Sequence, residues 1–97
     1  MLTSKEIRDE MLRIAREHLG LDQVKDTLVE DDVDMFGDAS LRITIVLNSK
    51  KRTNLSGSAL GRISIEALEF LVKNNDERYP YTHYATDKEL AALSKVK

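Results

Sequence analysis

The chain contains no cysteine, a single proline and four glycines, and its apolar runs are all short. Without cysteine there is no disulfide framework and no thiolate metal site, so the fold has to stand on packing. The same absence is compatible with a reducing compartment, and the cytoplasm is the expected location. Apolar runs of a few residues exclude a membrane-spanning helix. The opening Met1-Leu2-Thr3-Ser4-Lys5-Glu6 lacks the apolar centre of a secretory signal, so none is expected. A net charge of −2 counts against a non-specific nucleic-acid binder, which is usually basic overall, but leaves room for a local basic patch.

What is present is a chain of 97 residues, 41% hydrophobic and 33% charged. That balance describes a single folded domain over residues 1–97. Its charge is segregated. Glu30, Asp31, Asp32, Asp34 and Asp38 have no basic neighbour, and Arg42, Lys50, Lys51, Arg52 and Arg62 follow with no acid among them. The segment between the two blocks alternates as a strand does, which places them at opposite ends of one sheet.

Helix signals are clear at the N-terminus. Thr3 and Glu6 have the spacing of a capping box, and Leu2 with Ile7 that of a hydrophobic staple. Ile7, Met11 and Ile14 then repeat at helical spacing up to Gly20, a residue suited to a helix stop. Residues 24–33 read as a first strand, Asp34-Met35-Phe36-Gly37-Asp38 as a turn and residues 41–48 as a second strand. After a basic loop, a second helix is expected from Ser56 or Ser58 to about Asn74, with Gly61 weakening its first turns and shifting the start toward Ser64. Residues 79–85 form a third strand, with Pro80 marking a sheet edge or strand start. Thr86 and Glu89 repeat the capping box, and a short final helix runs through Leu90, Leu93 and Val96. The expected fold is α+β in the order α-β-β-α-β-α, with the helices on one face of a three-stranded, mainly antiparallel sheet. Strand order 2-1-3 keeps every pair antiparallel. Order 1-2-3 requires a right-handed crossover.

Little of this carries catalytic chemistry. Asp32-x-Asp34-x-Phe36-Gly37 resembles the start of a calcium loop, but phenylalanine stands at the fifth position and Ile43 at the twelfth, where oxygen ligands are needed. No metal and no cofactor are expected. His18 belongs to the last turn of the first helix and His83 to a strand with three tyrosines. No serine sits in a nucleophile setting, and no carboxylate pair shares a helix face within an expected pocket, so catalysis has no positive support. Two surfaces remain. Arg42, Thr44, Val46, Tyr81 and His83 are expected on an uncovered sheet face, completed from the first strand by Thr27 and Val29. Arginine and tyrosine there suit a protein partner. Lys50, Lys51 and Arg52, followed by Ser56 and Ser58 at a helix start, are candidates for anion binding.

The α-β-β-α-β order resembles the KH-type arrangement of bacterial ribosome-binding factor A. That resemblance implies RNA or nucleotide-phosphate binding through residues 50–58. Gly57-Ser58-Ala59-Leu60-Gly61 is one residue longer than the G-x-x-G loop with which KH domains clamp RNA backbone. Residues 37–46 and Arg78-Tyr79-Pro80-Tyr81 are similar to segments of small uncharacterised bacterial proteins, to which no activity attaches. The first expectation is therefore a non-catalytic binding or accessory protein, acting through the sheet face and its charged ends, with self-association as a homodimer and no membrane contact. RNA binding is the alternative.

Overall fold

The computed structural model describes residues 1–95. Helix α1 spans Ser4–Leu19, and both halves of the capping box form: Glu6 N–H donates to Thr3 Oγ1 at 3.1 Å and Thr3 N–H to Glu6 Oε1 at 2.9 Å. The helix stops at Gly20, whose φ of 110° is one that side chains rarely adopt. Strands β1 (Val24–Val33) and β2 (Ala39–Leu47) form a hairpin, α2 (Gly57–Lys73) returns the chain, and β3 (Tyr79–Thr86) runs into α3 (Asp87–Lys95). Val96, expected in the stripe of the final helix, lies outside the described residues.

The fold is α+β with the expected element order. Its sheet is mixed: β1 pairs antiparallel with β2, β2 pairs parallel with β3, and the order is 1-2-3. This replaces the order 2-1-3. The reason lies in the composition of the first two strands. β2 is buried at every position from Ser40 to Leu47 except Arg42, on both faces, as a central strand requires. β1 carries Lys25, Asp26, Glu30, Asp31 and Asp32, and charges of that density belong on an edge.

The core forms where Ile7, Met11, Ile14 and Ala15 of α1 and Ile63, Ala67 and Leu71 of α2 meet Leu41, Ile43, Ile45 and Leu47 of β2. The register puts Thr27 and Val29 opposite Ile45 and Ile43, on this covered face. The expectation that they complete the open face is thereby corrected. A bulge between Val24 and Asp26 shifts the phase of β1, so Val24 and Thr27 both point inward although they are three residues apart.

Candidate functional site

The open face of the sheet is built by residues that alternate with the core positions. From β2 come Ser40, Arg42, Thr44 and Val46; from β3, Tyr79, Tyr81 and His83. Arg42, Tyr81 and His83 are exposed, whereas Thr44 and Val46 are buried. The reachable part of the predicted surface is thus its arginine, tyrosine and histidine. Tyr79 and Tyr81 stack with ring centroids 4.9 Å apart at 56°.

The hairpin tip, which the sequence reads as a turn with an imperfect calcium-loop start, presents a surface as well. Gly37 N–H donates to Asp34 C=O at 3.0 Å, and Asp34 N–H to Asp38 C=O at 2.9 Å, closing a three-residue loop. Gly37 at φ 83° takes the left-handed position that such loops need. Asp34 Oδ1 accepts from the N–H groups of Phe36 and Asp38 at 2.9 and 3.0 Å, so this carboxylate shapes the turn. Met35 and Phe36 are thereby held out at 89% and 81% exposure. They line an open groove of about 400 Å³ with Asp32, Arg42, Tyr81 and His83. A second groove, about 490 Å³, adjoins it at Asp34 and Tyr81 and adds Asp38 and Glu77. An apolar pair inside an acidic rim is a signal the sequence did carry, in Asp34-Met35-Phe36-Gly37-Asp38, and one that turn propensity masked.

At the far end of β2, Lys50, Lys51 and Arg52 are exposed and make no ion pair among the described residues. Ser56 caps α2 by accepting from Ala59 N–H at 3.2 Å, and Ser58 Oγ lies 3.4 Å from Ser56 Oγ. Gly57 and Gly61 both belong to α2, so no flexible glycine loop forms there. Lys50, Lys51 and Arg52 thus lie at the end of β2 opposite the acidic hairpin tip. Arg42, however, stands opposite Glu30 and shares a groove with Asp32 at the acidic end, and Arg62 lies on α2, so the expected separation holds only for part of the basic block.

Two further clusters tie the fold together. His18 Nε2 lies 2.5 Å from Glu66 Oε2, joining α1 to α2. Glu17 brings a third potential ligand atom within 4.8 Å of that pair, though its carboxylate is held by Arg13 at 3.0 Å. The other cluster is buried. Arg78 donates through Nε and Nη2 to the two oxygens of Asp76 at 2.9 and 2.6 Å, through Nη1 to Asp31 at 2.7 Å, and through Nη2 to Leu2 C=O at 3.0 Å. The Arg78 guanidinium holds the Asp76 carboxyl down at about 2. Lys25 and the Ser49 amide likewise push the Asp87 carboxyl well below the usual range, anchoring the start of α3 to the basic end.

No protein-family model, no curated protein and no solved structure matches the chain.

Proposed function

We propose that this protein is a non-catalytic binding protein whose hairpin end receives an extended segment of another protein carrying cationic and apolar side chains. The observation that carries the reading is the exposure of Met35 and Phe36 beside Tyr81 and His83, inside an acidic rim. Large apolar side chains grouped at a surface mark interaction sites. Asp32, Asp34, Asp38 and Glu77 line the two adjoining grooves, so a complementary partner is basic. The exposed faces of Tyr79 and Tyr81 suit an arginine or lysine of that partner. Arg42, free of ion pairs among the described residues, is left to meet a backbone carbonyl or a single carboxylate.

Display of random peptides against the immobilised protein tests this. The expected result is enrichment of sequences combining lysine or arginine with a large apolar residue. Their binding should fall about tenfold or more in M35S/F36S and in D38K/E77K. An absence of enrichment, or peptides that bind both variants as well as the parent, overturns it.

Lys50, Lys51 and Arg52, exposed and without an ion pair among the described residues, support the second reading, in which single-stranded RNA is the ligand. Fluorescence anisotropy with an RNA oligonucleotide at low salt separates the two. Binding that disappears in K50Q/K51Q/R52Q moves the function to the basic end.

A further inference from the structure

We infer that the occupant of the hairpin end is the segment 50–55 of a second copy of this chain, so that copies add head to tail. This rests on the binding site proposed above and names its partner.

The chain itself carries a segment of the kind that site calls for. Lys50-Lys51-Arg52-Thr53-Asn54-Leu55 joins three exposed cations to Leu55, a large apolar residue that is 40% exposed. Lys50 N–H donates to Asn48 Oδ1 at 3.0 Å and Lys51 N–H to Asn48 C=O at 3.1 Å, closing a turn after β2. Past that turn, residues 52–55 form neither helix nor strand before Ser56 caps α2. Binding residues concentrate on surface segments of this kind.

The charges of the two surfaces match. Asp32, Asp34, Asp38 and Glu77 line the grooves of the hairpin end and form no ion pair among the described residues. Lys50, Lys51 and Arg52 form none either. On α1, by contrast, Lys5 is matched by Asp9, Arg8 by Asp26 and Arg13 by Glu10 within the chain. Bringing the basic segment of one copy to the acidic rim of the next satisfies both groups, and complementary potentials steer the encounter. The apolar parts match as well, because contact of Leu55 with Met35 and Phe36 takes exposed apolar surface of both copies out of water.

Placement permits the contact. The acidic tip lies between β1 and β2, whereas residues 50–55 follow the other end of β2. The two surfaces therefore stand at opposite ends of the body, and copies meet end to end. Since the surfaces differ, the contact is heterologous: each added copy leaves one tip and one basic segment free, and growth continues.

Sedimentation velocity at low salt over a concentration series provides the test, with circular dichroism to confirm each fold. The mass of the parent should rise with concentration past twice the 11.0 kDa of the chain. Its association constant should fall about tenfold or more at about 0.5 M ionic strength. M35S/F36S, with the tip blocked, and K50Q/K51Q/R52Q, with the basic segment blocked, should each be monomeric alone. Mixed in equal amounts they should form one heterodimer and nothing larger, since one supplies the intact segment and the other the intact tip. Should M35S/F36S unfold, D38K/E77K takes its place. A parent monomeric throughout, a variant that associates alone as the parent does, or a mixture that stays monomeric overturns the inference. Any of those results beside enrichment of basic, apolar peptides in the display experiment removes the second copy as occupant and keeps the site. Display without enrichment overturns the site itself.

Discussion

The Asp76 carboxylate accepts from the Arg78 guanidinium and amide, and at 3.3 Å from the Leu2 N–H, while its own backbone closes the end of α2. Asn75 takes the left-handed conformation at φ 56°, its N–H bonding Val72 C=O and the Asp76 N–H bonding Leu71 C=O. That is the Schellman pattern with asparagine in the usual glycine position. A reversed chain direction, a buried charge pair and the tether of the N-terminus therefore meet within four residues. Asp76→Ala removes the buried partner of the Arg78 cation, leaving it only the exposed Asp31, and should cost about 3 kcal/mol in urea denaturation. The pair also sets an acid limit. With the folded carboxyl at about 2 and the free one near 3.8, its contribution is complete above about pH 4 and is lost as the pH falls toward 2. The parent should lose stability over that window, and Asp76→Asn should lack that part of the decline. None of this was legible beforehand, because the partners Leu2 and Asp31 stand far from Arg78 in the chain; only the helix stop at Asn74-Asn75-Asp76 was local enough to read.

At the scale of elements, both capping boxes were legible because each is closed within four residues of sequence. Thr86 and Glu89 at the start of α3 repeat the bonds of Thr3 and Glu6 at 3.0 and 2.8 Å. The start of α2 was less so: the glycine at 61 argued for a later beginning, yet the Ser56 cap extends the helix over it. Gly61 thus occupies a helical position for no local reason, since a Cβ there meets nothing within 4 Å. Gly61→Ala should raise the monomer's stability by about 1 kcal/mol, measured by chemical denaturation at low protein concentration. Gly37→Ala has the opposite sign. A Cβ also finds open space there, but φ of 83° puts it in conformational conflict, for a loss of about 1 kcal/mol. The strand order 1-2-3 was legible only as the alternative to 2-1-3, for a different reason. Antiparallel preference favoured β1 at the centre, whereas the unbroken burial of β2 and the charges of β1 decide the matter once all three strands compete for one core.

Across the whole molecule, the acidic hairpin tip and the basic Lys50, Lys51 and Arg52 are held apart by β2, whose nine residues extend about 30 Å. Screening at physiological salt acts over about 8 Å, so neither end neutralises the other. Such a bipolar body offers a route to self-association: contact of a basic end with the acidic end of the next copy is heterologous and grows open chains. At about 0.5 M ionic strength the screening length falls to about 4 Å and end-to-end attraction disappears. K50Q/K51Q/R52Q, which takes the net charge from −2 to −5 by removing three cations, should leave the fold intact, because those side chains have no ion-pair partner among the described residues. Light scattering of the parent and the triple variant at low and high salt checks this: species larger than a monomer that dissolve with salt in the parent and are missing from the variant assign association to the poles, and a parent whose state is the same at both salts and in the variant excludes it.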